Sequence, residues 1–290
     1  DFGDLHDDAV GRFRNTGYPE QNLDFKLEAL LNPQLQLTVA SQYVNQDDVW
    51  RWHSTAYNQG WTHGGPSTAA GSDRLRIYDQ ERYLTYARLQ GESASAWARK
   101  WEATVSWQKS QDSENRTRSS GRNDLKVADV DTYGFSAQAT ADLGPGTLTY
   151  GADYYHDEVD TEGYRNGLPR ASNRPVADDS TYDTLGVFTS YTWSPWERLE
   201  LTAGARGSYI EADWNGYRPQ GASEDQSGGN DWTDLSLSFR GLYELNDCWS
   251  WYGGVSQGFR APNRDDLTGS QFSVNGLPTN GSPDLDPEEF

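Results

Sequence analysis

The chain has 290 residues, of which 34% are apolar, and it carries a formal net charge of −20 at a mean hydropathy of −0.89. This charge argues against nucleic acid as a partner, because the field of the chain repels phosphate backbones. No run of about 18 apolar residues occurs, which excludes membrane-spanning helices. The 17 Tyr and 12 Trp argue against a disordered chain, since disordered segments are poor in aromatic residues.

Five pairs of segments alternate apolar and polar residues, and a short polar turn joins the two members of each pair. Leu199, Leu201 and Ala203 point to one side, whereas Glu200 and Thr202 point to the other. A period of two predicts a strand with one apolar face and one polar face. The predicted strands are 21–31, 35–45, 80–90, 98–111, 131–143, 147–157, 182–193, 198–212, 232–245 and 248–259.

The connections between these strands are of two kinds. The turns within the pairs are short, as at 32–34 and 144–146, while long hydrophilic loops such as 46–78 separate the pairs. Short turns on one rim and long loops on the other are typical of a transmembrane β-barrel. We therefore predict an all-β fold: an antiparallel up-and-down transmembrane β-barrel segment of about ten strands, with short periplasmic turns and long extracellular loops. Residues 258–290 are predicted to form a further loop and not a closing strand.

Several tryptophans gather on the short-turn side of the predicted strands. Aromatic residues at one level favour a girdle at the membrane interface, which is a structural role. These tryptophans are Trp101, Trp193, Trp196, Trp249 and Trp251. A secreted all-β domain that never meets lipid is the alternative architecture.

Residues with metal or redox chemistry give weaker signals. Cys248 is the single cysteine, so neither an internal disulfide nor a cysteine metal cluster can form. The many acidic residues of the loops are interpreted as a solvated surface. Divalent-cation sites among paired aspartates are the alternative, although the spacing of the calcium helix–loop–helix motif is absent. We predict no metal site.

The most specific motif lies near the end of the chain. Residues 256–262 read SQGFRAP, and residues 282–288 read SPDLDPE. They resemble the FRAP … NPDL … PE signature of TonB-dependent outer-membrane receptors, with Ser where the family usually has Asn. Segments 15–18 and 79–86 are also similar to early barrel segments of that family. The residues that carry the signature are Phe259, Arg260, Ala261, Pro262, Ser282, Pro283, Asp284 and Leu285.

The resemblance implies a complete barrel of about twenty-two strands, with an N-terminal plug and a TonB box. We accordingly expect residues 1–290 to be a partial barrel domain that lacks the plug and the remaining strands. The implied function is energised uptake across the bacterial cell outer membrane. The implied partners are the TonB energy-transducing complex, acting through the missing plug, an iron complex or haem as ligand, and outer-membrane lipid. No resident cofactor is expected.

Within this family the signature is associated with haem receptors, which place a haem-ligating histidine between the two motifs. Residues 263–281 contain no histidine, so His53 and His63 of the first long loop are the candidates for binding haem iron. Aromatic residues nearby are suited to stacking on a porphyrin, and they are Trp50, Trp52, Tyr57 and Trp61. The alternatives are ordinary polar histidines and aromatics that pack the loops or stack on sugars or on siderophore catechols.

The leading functional hypothesis is an outer-membrane transporter of haem or another iron complex, with a siderophore as the second choice of ligand. Cobalamin or carbohydrate uptake is the alternative within the transport class. An outer-membrane barrel enzyme or adhesin is the alternative from a different class. The sequence has no HExxH, GxSxG, P-loop or CxxC motif, so we expect no enzymatic activity.

Overall fold

The computed structural model describes residues 6–7, 11–12, 16–51, 73–219, 221–272 and 278–290. Within these residues ten long strands follow one another along the chain, and we label them β1 to β10. Their bounds are β1 Glu20–Asn32, β2 Leu35–Trp50, β3 Asp73–Glu92, β4 Lys100–Arg118, β5 Asn123–Leu143, β6 Gly146–Arg165, β7 Asp178–Trp196, β8 Leu199–Tyr217, β9 Gln226–Asn246 and β10 Trp249–Ser256. Shorter elements are the strands His6–Asp7, Gly11–Arg12, Leu168–Pro169, Phe259–Arg260, Ser270–Phe272, Pro278–Asn280 and Glu288–Glu289, the 3-10 helix Ala171–Asn173 and the α-helix α1, Arg264–Thr268.

The ten long strands form one antiparallel sheet whose spatial order equals the order in the chain. The prediction of an up-and-down sheet is therefore confirmed. Within the described residues β1 and β10 each pair with a single neighbour, so this wall is not closed on itself. Among those same residues, no helix is both long and apolar enough to cross a membrane.

The reversals of the chain differ between the two rims of the sheet. On one rim the reversals are short, at 33–34, 93–99, 144–145, 197–198 and 247–248. At the opposite rim β2 ends at Trp50 and β3 begins at Asp73, and the connections between β4 and β5, β6 and β7, and β8 and β9 lie there. Every reversal within a predicted pair thus lies on one rim, as the sequence predicted.

The two faces of the sheet differ in polarity. On β9, Leu235, Leu237 and Phe239 are 63%, 51% and 45% exposed on one face, which is the face that lipid covers in a barrel. On the other face, Arg206 of β8 binds the carboxylate of Asp153 on β6 through two hydrogen bonds of 2.8 Å. We call these the outer face and the lumenal face. The faces of β8 agree with the sequence: Ala203 pairs with Phe239 on the outer face.

The strands are longer than the membrane requires. A membrane-spanning strand needs about 9–11 residues, whereas β5 has 21. Its exposed large apolar residues, Tyr133, Phe135 and Leu143, all lie in the half next to the short turn, whereas Leu125 and Val127 of the same face are half-buried. Residues 133–143 therefore span the membrane, and residues 123–131 project beyond it.

The sequence placed the strand ends too early on the rim of the long connections. Within the predicted loop at 46–78, β2 continues to Trp50 and β3 already begins at Asp73, and the predicted connection at 112–130 is reduced to residues 119–122. In the added residues of β3 and β5 the period of two continues briefly, since Leu75 and Ile77 share one face, as do Leu125 and Val127. Residues 112–118 of β4 are all polar, so the period-two signal disappears there. The ladder nevertheless continues, because its backbone groups still pair across the strands.

The segment after β10 is folded, whereas the sequence predicted only a loop. Its helix α1 begins with a capping box in which Asn263 and Asp266 exchange side-chain-to-backbone hydrogen bonds. Leu267 of α1 is 1% exposed and packs into an apolar cluster on the lumenal face of β8 and β9. The other members of the cluster are Ala177, Ile210, Ala212, Trp214, Tyr217 and Trp232. As expected, the segment adds no closing strand to the sheet among the described residues.

Candidate ligand-binding site

Five of the six haem-binding residues predicted from the first loop lie outside the described residues. They are Trp52, His53, Tyr57, Trp61 and His63. The remaining one, Trp50, is the last residue of β2 and pairs with Ile77 of β3. Residues paired directly across an antiparallel ladder share a face, so Trp50 lies on the face of Ile77 and not on that of its neighbour Arg76. A ligand-binding role for all six residues stays a prediction.

The first half of the signature connects the start of the terminal segment to its end. Phe259 and Arg260 pair with the backbone of Glu289 and Glu288. The Arg260 guanidinium also donates to the carboxylates of Glu288 at 3.0 Å and Asp266 at 2.7 Å. Arg260 is therefore an ionic clamp that joins the two ends of the segment to α1.

The rest of the signature fixes the segment on the sheet. The carbonyl oxygen of Pro262 accepts a hydrogen bond from the hydroxyl of Tyr182 on β7 at 3.1 Å. The carbonyl oxygen of Pro283 accepts one from the Asn230 amide on β9. The other signature residues are Ala261, which packs against the apolar cluster, Ser282, whose amide donates to Asp266, and Asp284 and Leu285, which are exposed. The signature thus holds a folded segment against the lumenal face of the wall.

Close to this segment, a cavity of about 250 Å³ lies at the outer ends of β3, β4 and β5. Glu114 of β4 and Lys126 of β5 are paired across the ladder in its wall. Alternation puts both on the face opposite to Trp107 and Tyr133, which is the lumenal face. Five basic side chains and two carboxylates line the cavity, together with Tyr78, Asn173 and Pro175. The charged residues are Arg51, Arg76, Arg116, Arg118, Lys126, Glu114 and Asp124.

The Tyr78 ring is the aromatic group that two arginines of the cavity contact. The guanidinium carbons of Arg51 and Arg76 lie 5.4 and 5.8 Å from the centroid of its ring, within the range of a cation–π interaction. Glu114 orients this group, because its carboxylate accepts hydrogen bonds from Arg76 at 2.8 Å and from the Tyr78 hydroxyl at 3.1 Å. Two guanidinium groups are thus held beside one aromatic ring.

Asp124 and Asp73 hold the arginines of the adjoining wall in place. Asp124 accepts hydrogen bonds of 2.8 Å from both Arg122 and Arg165. Burial by itself raises the pKa of the Asp124 carboxyl, but the hydrogen bond from Arg165 and the charge of Arg122 outweigh burial and bring the pKa below its ordinary value of 3.8. Asp73 is 2% exposed and pairs with Arg116 at 3.0 Å.

Lys126 of the cavity has no ion pair with a carboxylate among the described residues. Its ammonium donates to the carbonyl oxygen of Ser270 at 2.7 Å. Burial lowers the pKa of Lys126, because the charged form loses hydration. A negative group in the cavity would stabilise that charge.

Histidine and acidic clusters do not offer a metal site within the described residues, where no group of three or more His, Cys, Asp or Glu side chains is arranged to hold an ion. His156 is on the outer face, where its Nδ1 lies 2.9 Å from Asp183 and its Nε2 lies 3.5 Å from Glu158. Cys248 is exposed in the turn between β9 and β10.

The comparison with known families identifies the wall. The chain matches the family described as "TonB dependent receptor-like, beta-barrel" over residues 22–289. It belongs to this family. The family consists of outer-membrane receptors and transporters and not of enzymes, so this receptor wall lies in the bacterial outer membrane, and the predicted family and location are confirmed.

Solved structures with the same fold include receptors for different ligands. The copper transporter OprC is 18% identical at a TM-score of 0.72, and the match covers 98% of this chain and 43% of OprC. The hemophore receptor HasR of Serratia marcescens, in complex with its hemophore HasA and haem, is 16% identical at a TM-score of 0.73, over 97% of this chain and 42% of HasR. The siderophore receptor PiuA of Acinetobacter baumannii is 14% identical at a TM-score of 0.67, over 94% of this chain and 46% of PiuA.

These likenesses establish the fold, and the chain spans less than half the length of each of the three structures. No curated protein is significantly similar to the chain.

Sequence reasoning missed the basic cavity of this receptor wall. A signal was present, since Arg116 and Arg118 alternate with polar residues and Arg76 and Lys126 follow the same period in neighbouring strands. The segments that carry them were assigned to loops, where alternation has no structural meaning. Only the ladder register shows that these four side chains share one lumenal patch.

Proposed function

We propose that the complete protein imports a scarce iron-bearing ligand across the outer membrane, with haem as the first candidate, and that the TonB complex supplies the energy. The observation that carries the proposal is the folded signature segment, which Arg260 and Pro262 hold against the lumenal face of the wall. This segment lies on the rim of the long connections, where an external ligand arrives.

The choice of haem rests on the signature and on the first loop. The signature resembles that of haem receptors, and one of the proteins with the same fold, HasR, was solved with its hemophore and haem. His53 and His63 would supply imidazole ligands to the iron, and the tryptophans beside them would cover the faces of the porphyrin. Copper, siderophore, cobalamin and carbohydrate ligands are the competing outcomes of the test.

The test is a haem titration of the complete receptor in detergent, followed through the Soret band. We expect a saturable Soret shift in the wild type and the loss of that shift in the double variant His53→Ala/His63→Ala. His156→Ala is the matched control, because His156 is an outer-face histidine held by Asp183. An unchanged Soret shift in the double variant would remove these two histidines from the site, and no shift in the wild type would remove haem as the ligand.

Uptake itself is tested by growth on haem as the sole iron source. We expect growth when the receptor is expressed in cells with an intact TonB complex and none in cells that lack TonB. The same cells supplied with a ferric siderophore or with copper decide among the competing ligands. Growth on haem without TonB would contradict energised uptake.

A further inference from the structure

The charge of the lumenal cavity is opposite to that of the chain. The whole chain carries a net charge of −20, yet five basic side chains and two carboxylates line this cavity. Three further charged residues adjoin it, namely Asp73, Arg122 and Arg165, and they add another net positive charge to the cluster. A positive cluster of this kind in a negative wall is costly unless something negative fills it, since like charges at short range repel.

We propose that this cavity binds the anionic oxygen group, a carboxylate or a phosphate, of the ligand that enters the lumen. This proposal deepens the import function above and rests on it only for the identity of the molecule that carries the anion. Guanidinium groups suit such a group, because their planar forks match two oxygens at once.

The arrangement of the cations supports an oxyanion of limited size. Arg51 and Arg76 are both held at the Tyr78 ring, so their guanidinium groups are positioned before any ligand arrives. Pre-positioned donors lose less conformational entropy on binding than mobile ones. A cavity of about 250 Å³ is below the size of a typical drug-sized ligand pocket, so it fits one charged group of a ligand and not a whole haem.

Lys126 links binding of an anion in the cavity to the contacts of the signature-bearing segment. Its ammonium donates to the carbonyl oxygen of Ser270, and its side chain lines the cavity. Ser270 belongs to the signature-bearing segment, and its amide donates to the carbonyl oxygen of Pro175, which also lines the cavity. An anion that attracts Lys126 would therefore compete with a contact that fixes this segment.

The test is calorimetric titration of the complete receptor in detergent with two probes, citrate for carboxylates and pyrophosphate for phosphates. We expect saturable binding of at least one probe. Arg76→Gln and Lys126→Gln should each weaken that binding roughly ten- to hundredfold, because each removes one charge-assisted hydrogen bond. The probe that binds more tightly identifies the source of the oxyanion.

Two further variants guard the interpretation. Arg206 also lies on the lumenal face, but it pairs with Asp153 outside the cavity. Arg206→Gln removes the same charge as Arg76→Gln and should leave probe binding unchanged within about twofold. Glu114→Gln removes a negative charge from the cavity but keeps an oxygen that can accept from Arg76 and Tyr78, so it should tighten binding by about threefold or more. Because this change has the opposite sign, a variant that merely fails to fold cannot imitate it.

The proposal is overturned if neither probe binds saturably, or if Arg206→Gln weakens binding as much as Arg76→Gln does. The same titrations separate it from the haem hypothesis. If citrate binds but haem gives no Soret response, the anion-binding role of the cavity stands and haem is excluded as the ligand. If haem binds, neither probe binds, and Arg76→Gln and Lys126→Gln leave haem binding unchanged, the anion-binding role of the cavity is excluded.

Discussion

The half of each strand that spans the membrane and the half that projects beyond it are stabilised in different ways. In the membrane half of β9, Leu237 is 51% exposed on the face that lipid covers, and the other outer-face residues from Leu235 to Leu245 are apolar, with a glycine at 241. In the projecting half of β5, Asp124 is 6% exposed and is surrounded by arginines from three directions. The same ladder of backbone hydrogen bonds runs through both halves.

The difference teaches that the solvent, and not the backbone, decides what the side chains do in this wall. Lipid accepts apolar groups on one face, so the membrane half needs no dense core between its two faces. Water offers no such stabilisation to the projecting half. There the strands are joined by charge pairs on the lumenal face and by the apolar cluster around Leu267.

The largest expected change in the free energy of unfolding distinguishes the outer face from the lumenal face in the membrane half of β5. Ala137 lies near the middle of residues 133–143 on the outer face, and Gln138 beside it donates to Glu102 in the lumen at 3.0 Å. We expect Ala137→Arg to lower the free energy of unfolding by roughly 2–4 kcal/mol, because it places a charge in hydrocarbon. Urea unfolding of the complete receptor in lipid vesicles measures it.

The neighbouring substitution is the control. Gln138→Arg adds the same side chain on the lumenal face, where Glu102 is available as a partner, and we expect a loss of less than about 1 kcal/mol. Equal losses in the two variants would show that residues 137 and 138 do not face different solvents.

The next effect tests the ion pairs of the projecting half. The folded pKa of Asp124 lies below 3.8, so its stabilising effect is present above that pH and is lost as pH falls through the folded pKa. We expect Asp124→Asn to be less stable than wild type at pH 7 by about 1–3 kcal/mol. The difference should shrink as pH falls from about 5 to about 2, in unfolding curves recorded across that range.

A carboxylate in an exposed ion pair provides the comparison for Asp124. Asp142 pairs with Arg99 at 3.1 Å, but its side chain is 64% exposed. Asp142→Asn should change the free energy of unfolding by less than about 1 kcal/mol at pH 7. A pH-independent loss in Asp124→Asn would contradict the assignment of its effect to charge.

The smallest expected change in stability concerns the ion pair between Arg206 and Asp153 on the lumenal face of the membrane half. A Cβ at Gly186 would overlap the Arg206 guanidinium group, so glycine leaves the path across β7 open from Arg206 to Asp153. Gly186→Ala should displace this flexible side chain and cost about 1 kcal/mol or less. Chemical denaturation measures the change.

Two further variants sharpen that result. The double variant Gly186→Ala/Arg206→Gln should be no less stable than the less stable of the two single variants, because both remove one ion pair. Gly207→Ala, where a Cβ meets nothing within 4 Å, should have no comparable effect. If the losses of unfolding free energy add in the double variant, Gly186→Ala does not act through the Arg206–Asp153 ion pair.

The sequence predicted the membrane half better than the projecting half for a physical reason. Between 133 and 143, water and lipid act on opposite faces, and the alternation they impose can be read directly. Between 112 and 118 every residue is polar, and between 123 and 130 Leu125 and Val127 alternate with charged residues over too few positions, so the strands were predicted as a loop. The helix α1 was also missed, although Asn263 and Asp266 have the spacing of a capping box.

The amino-acid sequence by itself determined the number and order of the ten strands in the described residues, the faces of each, and the rim of the short turns, because each of these follows from neighbours in the chain. The signature also indicated the family. Only the tertiary structure decided which charges meet. Arg76, Glu114 and Lys126 are far apart in the chain, and the register of three strands brings them to one cavity wall. Register is a property of the paired strands, and it sums contacts over whole ladders that no single segment contains.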